Sequence, residues 1–281
     1  MRLRNLAFVA GATGAAMAAY GHLVEARRLV VEKRTLALPR WPERLRDFKI
    51  AVLSDLHVRN AWTSQLAADA IALALDEEPD MVVLPGDLVD SWHYETPKQI
   101  GDLLEPLLLM DGSVVAIPGN HDYIDSETDL LQMILNELNI RFLRNESWRH
   151  LGITWVGIDS ASAYQADVVK AFHGVHSDPV IALWHEPDLV RRLPRGVALQ
   201  ISGHGHGRQF VFPGGFAPMH TKFGKRYSGG WYPDAPTPLY VSRGIGTTLL
   251  PIRFNCPPEV SILKLVPGDL PTEVKLHEKH A

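Results

Sequence analysis

The sequence predicts an α/β fold, and three observations carry the prediction. Continuous apolar runs recur at Ile50 to Leu53, Met81 to Leu84, Val114 to Ile117, Ile181 to Trp184 and Val197 to Ile201. Stretches with helical periodicity lie between the early runs, at 63–78, 97–110 and 126–139. Every run is followed within a few residues by Asp, Asn or His. Unbroken apolar strands alternating with helices imply a sheet buried on both faces. In open sheets of this kind the ligand crevice lies beyond the carboxyl ends of the strands, where these polar residues should converge.

Length and composition set the bounds. The chain has 281 residues, room for one large domain or two. Apolar residues make up 46% and charged residues 21%, which excludes wholesale disorder and collagen-like repeats. The net charge of −4 is uneven, because the first 34 residues carry six Lys/Arg against two Asp/Glu. The remainder is acidic, so no nucleic-acid-binding surface is evident, since such a surface needs a basic face. A single cysteine, Cys256, excludes an intrachain disulfide and a Cys-based zinc site. The 13 histidines beside many carboxylates leave nitrogen and oxygen ligation for any metal.

From the N-terminus, Arg2 and Arg4 precede an uncharged stretch from Asn5 to His22. Ten of the 19 residues from Leu6 to Val24 are Ala or Gly. The stretch is long enough for a tilted membrane span and weakly apolar for one. The basic start and Ala16-Met17-Ala18 also fit a signal peptide, and a buried Ala/Gly-rich helix is the third reading. Residues 1–34 are therefore expected to be a membrane anchor or signal segment, with the protein membrane-anchored or exported across the cytoplasmic membrane. Basic residues flank both sides, so orientation stays open. Residues 35–47 read as a linker, because Pro39 and Pro42 block a continuous helix. Residues 48–270 form the main domain and 271–281 a C-terminal tail. The late runs at 239–242 and 259–265 lack intervening helices and read as antiparallel strands.

The polar clusters are Asp55-Leu56-His57, Gly86-Asp87-Leu88-Val89-Asp90, Gly119-Asn120-His121-Asp122, His185, and Gly203-His204-Gly205-His206. Alone, Asp or Asn beside Gly is ordinary turn chemistry, and a lone His is more often packed than ligating. Five such clusters at one topological edge are not explained that way. Together, and in this order, they resemble the calcineurin-like metallophosphoesterase family. The apolar N-terminus, Pro39-Arg40-Trp41-Pro42 and Trp184-His185-Glu186-Pro187-Asp188 look like its membrane-associated bacterial branch.

The resemblance implies a β-sandwich core flanked by helices (αββα) and two divalent metal ions. Carried over by motif, Asp55, His57 and His206 look like ligands of one metal, and Asn120, His185 and His204 like ligands of the other. Asp87 looks like the bridging carboxylate. Two dications about 3.5–4 Å apart need such an anionic bridge, and a carboxylate has two oxygens to span the gap. Mixed imidazole and carboxylate ligation suits Mn, Fe, Zn, Co or Ni. The implied reaction is hydrolysis of a phosphate monoester, diester or pyrophosphate by a metal-activated hydroxide. His121 looks like the proton donor to the leaving group, and Asp90 like the partner that holds its imidazole protonated. Asp122 reads better as a loop or helix-capping group.

The family pattern continues with two glycines and a glutamine, where this chain has Gly207-Arg208-Gln209. Arg208 is a substrate-binding candidate or an outward, solvated side chain; Arg59 carries the same two readings. Arg243 is a further candidate, since it follows a strand and sits beside Gly244 and Gly246. Residues 212–238 hold ten Gly or Pro and six aromatics. An aromatic loop beside an apolar N-terminus points to a lipid-linked phosphate and a membrane partner, and a satellite apolar cluster fits equally well. The competing function is a catalytically degenerate metal-binding recognition module at the membrane.

Overall fold

The computed structural model describes residues 2–176, 179–269 and 273–275. Two sheets lie face to face with helices on the outside. The first contains β1 (Val30–Leu38), β2 (Phe48–Val52), β3 (Met81–Leu84), β4 (Val114–Ala116) and β5 (Arg141–Phe142). The second is built from β6 (Glu146–His150), β7 (Ile153–Ile158), β8 (Val180–Trp184), β9 (Val197–Ser202), β10 (Gly230–Tyr232) and β11 (Leu239–Val241). The chain then returns to the first sheet with β12 (Glu259–Pro267) and β13 (Glu273–Lys275). The strand orders are β13-β1-β12-β2-β3-β4-β5 and β10-β11-β9-β8-β7-β6.

Alternation along the strands builds the layers. Ile50, Val52, Val83, Ile181 and Leu183 point into the space between the sheets, where they pack with Trp155, Tyr240 and Leu263. Their neighbours Ala51, Leu53, Val82 and Leu84 face α2 (Ala61–Asp76), α3 (Thr96–Leu104) and α4 (Thr128–Glu137). Ala182 and Trp184 face the opposite outer layer with α5 (Val168–Ala171). Period-two burial on both faces is what an unbroken apolar run produces in a covered sheet. α2 starts where Asn60 accepts the Thr63 N–H in a capping box. It buries Leu66, Ala67, Ala70, Ile71 and Ala74 as one stripe. The periodicity expected over 97–110 divides at Pro106, where α3 gives way to a 3-10 turn at Glu105–Met110.

Two readings change, and a third falls mostly outside the described residues. β1 runs through the boundary drawn at residues 34 and 35 and pairs along its whole length with β12, so the sandwich begins at Val30. β12 is antiparallel to β2 as expected, but β11 runs parallel to β9. The excursion through 203–238 gives the chain the length a parallel return requires. The tail expected at 271–281 lies outside the described residues except for Glu273–Lys275, which pair with β1.

α1 (Arg2–Leu23) precedes the sandwich, and its last turn is fastened to the 251–256 segment. Gly21 O accepts the Arg253 N–H at 3.1 Å, and His22 Nδ1 donates to Pro251 O at 2.7 Å. Just beyond it, the buried Glu25 accepts the Cys256 N–H at 2.6 Å. Among the described residues, no helix is long and apolar enough to cross a membrane.

Candidate metal centre

The parallel strands of both sheets end at the same edge of the sandwich. β2 delivers Asp55 and His57, β3 delivers Asp87, β4 Asn120, β8 His185, and β9 His204 and His206. The loops are zipped together by main-chain bonds: His57 N–H to Asp87 O at 3.1 Å, Asp55 N–H to Gly86 O at 3.1 Å, and Gly203 N–H to His185 O at 3.2 Å. Such tight crossing demands glycine. A Cβ on Gly119 would stand 2.2 Å from Asp87 Oδ1, and one on Gly203 would stand 1.9 Å from Ser54 Oγ. Asp55, His57, Asp87, His204 and His206 all have φ between +44° and +65°, the left-handed region that side chains seldom occupy. The fold holds these side chains inward against local backbone preference, as functional sites often do.

Two clusters result. In the first, His206 Nε2 lies 3.3 Å from Asp55 Oδ1 and 3.2 Å from His57 Nε2. In the second, His185 Nε2 lies 3.1 Å from Asp87 Oδ2, and His204 completes the group. The same Asp87 Oδ2 is 3.5 Å from His57 Nε2, so this oxygen stands between the clusters. Asn120 sits beside them with its Oδ1 buried and unpartnered, as is His206 Nδ1.

The donor set fits cations. His57 gives Nδ1–H to the Asp90 carboxylate at 3.2 Å, His185 gives Nδ1–H to Pro85 O at 2.7 Å, and His204 gives Nε2–H to Lys222 O at 2.6 Å. A neutral imidazole has one N–H, so each turns a lone pair from its other nitrogen toward Asp55 or Asp87. Acceptors facing acceptors in a buried space repel unless a proton or a cation lies between them. The protonation pattern reflects that crowding. Burial would raise the Asp87 carboxyl, but the imidazoles of His185, His57 and His121 outweigh it and hold it well below the usual range. Burial would lower His185, yet the Asp87 carboxylate raises it well above an ordinary histidine. His206 is pushed well down by burial, then by His57 and Arg253. His204 is lowered by burial and by His185.

Supporting residues surround the clusters. Asp122 accepts N–H groups from Asp87, Leu88, Val89 and Gly119 at 2.8–3.1 Å, which fixes the second and third motifs to one another. Burial and the nearby Asp87 charge push its carboxyl up to about 7. His121 donates its N–H to Asp87 Oδ1 at 2.8 Å and its Nδ1–H to the Asp90 carbonyl at 3.0 Å. This differs in detail from the expected pairing. The Asp90 carboxylate hydrogen-bonds His57 and stands 3.7 Å from His121 Nδ1, so Asp90 orients both rings, His121 mainly through its main chain.

The arginines separate. Arg243 is paired within the fold: its Nε donates to Glu259 and its Nη2 is 3.5 Å from Glu32, so two carboxylates face its charge. Arg59 bonds Thr247 O and Oγ1 at 2.8 and 2.7 Å and approaches Asp90 at 3.4 Å. Arg208 lines a cavity beside His206. Sequence reasoning missed Arg253, a fully buried guanidinium that donates to the carbonyls of Arg243, Gly244, Gly246 and Cys256. That clamp shapes the 243–246 loop, whose Ile245 and Gly246 N–H groups bond Ser54 O and Asp55 O. No motif or periodicity marks Arg253 in the sequence.

A two-sheet sandwich with paired carboxylate and imidazole clusters at its carboxyl edge defines the class to which this chain conforms. A family model for calcineurin-like phosphoesterases matches residues 48–208, and the chain belongs to that family. It is 32% identical to phosphodiesterase YaeI of Escherichia coli over 78% of this chain and 82% of that protein. It is 29% identical to the uncharacterized metallophosphoesterase YkuE of Bacillus subtilis over 88% of both. An uncharacterized metallophosphoesterase of Helicobacter pylori is 32% identical over 79% of this chain, and the match spans 60% of that longer relative.

Proposed function

We propose that the protein hydrolyses phosphate monoester, diester or pyrophosphate bonds at two divalent cations. Asp55, His57 and His206 would hold one, Asn120, His185 and His204 the other, with Asp87 shared. The observation that carries this reading is Asp87 Oδ2, which faces His57 in one cluster and His185 in the other. When bound, such a pair of ions supplies Lewis acidity and lowers the pKa of water. The protein's own groups do the rest. Asp90 and the Pro85 and Lys222 carbonyls fix the imidazole tautomers, so lone pairs point inward without reorganisation. His121 has its Nδ1–H committed to Asp90 O, which leaves Nε2 as the atom that carries a proton to the leaving oxygen.

The test is a substrate panel on protein reconstituted separately with Mn, Fe, Zn, Co and Ni. It should include aryl phosphate mono- and diesters, a nucleotide diester and a sugar nucleotide. Turnover that scales with filling of both sites supports the reading. Fully loaded protein that turns over nothing returns it to a recognition module.

We infer further that the substrate is lipid-linked and that the protein works against a membrane through its N-terminal side. Tyr20, Phe254, Phe210, Phe212 and Phe216 form a continuous ladder of ring contacts from α1 to the aromatic loop. Phe216 is 66% exposed and Leu249 83% exposed, and Leu249 also borders the cavity beside His206. Exposed apolar groups at a site mouth favour an interface with lipid. Vesicle flotation should retain the protein and release the Phe216→Ser/Leu249→Ser double variant. Equal flotation of both would count against the inference.

A further inference from the structure

The cavity of about 190 Å³ beside the metal centre has a composition of its own. His206 forms one wall, and Thr221 of another wall donates its hydroxyl to the His204 carbonyl at 3.1 Å. The space therefore adjoins the ligand clusters through His206. Pro218, Met219 and Leu249 make much of its remaining lining apolar. Gln209 fixes the far side by donating to the Thr248 and Leu250 carbonyls and accepting the Thr248 N–H. Arg208 enters from the chain just beyond His206, with His220 nearby.

Arg208 differs from every other arginine near the centre. Arg59, Arg243 and Arg253 are each bound to carboxylates or carbonyls. The Arg208 guanidinium has no hydrogen bond or ion pair among the described residues, although the residue is partly buried and its main chain is bonded to Gly205 and Phe210. Its φ is +67°, a conformation that glycine adopts freely and arginine does not. An unpaired guanidinium on a strained backbone in the lining of a largely apolar cavity points to a ligand charge rather than to the fold.

We propose that this cavity receives the part of the substrate beyond its scissile phosphoryl and that Arg208 pairs there with a second anionic group, carried on an apolar body. The proposal rests on the phosphoesterase reading, in which the scissile phosphoryl lies at the clusters. A phosphoryl or a carboxylate would satisfy the guanidinium, both by paired N–H···O bonds. Substrates with one anion would leave the arginine unmatched.

Non-hydrolysable phosphonates test this by calorimetry on metal-loaded protein. Methylphosphonate carries one anion. Straight-chain α,ω-diphosphonates of increasing length carry a second at increasing reach, and ω-carboxyalkylphosphonates replace it with a carboxylate. At the best length, the two-anion probes should bind about tenfold or more tightly than methylphosphonate, the scale of a charge-assisted bond. Arg208→Gln should collapse that ratio toward one, and Arg208→Lys should restore part of it. The carboxylate and phosphonate series then tell which second anion is preferred, and preference for either supports the proposal. No length preference in the native protein, or a ratio unchanged in Arg208→Gln, would overturn it. Failure of loaded protein to bind even methylphosphonate would strike the phosphoesterase reading itself, and this inference with it.

Discussion

The two ligand clusters are built from the same parts and supported differently. In the first, the outer nitrogen of His57 meets the Asp90 carboxylate, and Asp55 adds a charge of its own. In the second, the outer nitrogens of His185 and His204 meet main-chain carbonyls, and the additional oxygen is the unpartnered one of the neutral Asn120. A carboxylate behind an imidazole makes it a stronger donor than a carbonyl does. On the proposed reading the first cluster would hold its cation more tightly through His57, although the outer nitrogen of His206 has no such partner, and the second would be the exchangeable half. Their shared group is Asp87, so the asymmetry acts within one centre.

Removing the shared group should have the largest effect. Asp87→Asn should lower metal affinity in both clusters by more than the roughly 10- to 100-fold that loss of an outer partner costs. Metal analysis after dialysis would show it; retention of two tight ions would break the scheme. His121→Ala comes next. It should keep both ions and lose about 10²–10⁴ in kcat, the range for a positioned general acid. Loss of metal with turnover restored by excess metal would mean that His121 serves ligation instead.

Asp90→Asn sharpens the comparison, because it touches one side only. Affinity should fall about 10- to 100-fold for the first cation and much less for the second. Competition titrations with chelators of graded strength would resolve the two. Equal losses would show that the clusters do not differ in the way proposed.

Acidity separates the clusters by another route. His185 holds a proton in the metal-free protein because Asp87 raises it, so a second-cluster cation must displace that proton. Affinity there should rise with pH by about tenfold per unit below the raised pKa of His185. His206 is pushed well down and is already neutral, so its part in first-cluster binding should be flat through the neutral range. Without metal, the His185–Asp87 pair stabilises the fold fully between the ordinary carboxylate and histidine pKa values; the contribution is lost as pH falls through the lowered pKa of Asp87 and as it rises through the raised pKa of His185.

The smallest effect concerns the wall behind Asp55. Arg253→Lys cannot reproduce a planar fork that meets four carbonyls, and should destabilise the fold by about 1–3 kcal/mol. First-cluster affinity should weaken with it, because the 243–246 loop braces Asp55. Thermal unfolding of the metal-free variant is the measurement; an unchanged midpoint would show that the clamp is dispensable.

How much of this was legible in the sequence depends on distance along the chain. The five strands that carry the site were visible because their apolar runs are continuous and the ligands follow at once, as in Val83-Leu84-Pro85-Gly86-Asp87. β1 was not, because Glu32, Lys33 and Arg34 interrupt its apolar residues and its partner β12 lies more than two hundred residues away. The partners of Arg243 were hidden for the same reason. Its glycine-rich surroundings suggested access, while Glu32 and Glu259, which neutralise it, meet only in the folded sheet. Asp122 could be read as a loop anchor from its position after Asn120-His121, and the structure gives it that place. Arg253 left no trace, since a buried cation bonded mainly to carbonyls has no sequence pattern.

On the proposed reading, seven side chains from both sheets hold two cations through one shared carboxylate. Titration of the metal-free protein with manganese, followed by electron paramagnetic resonance, is the decisive measurement. Two ions per chain with an exchange-coupled spectrum that uncouples in Asp87→Asn is the predicted result. A single ion at saturation, or two whose spectra never couple, would contradict it.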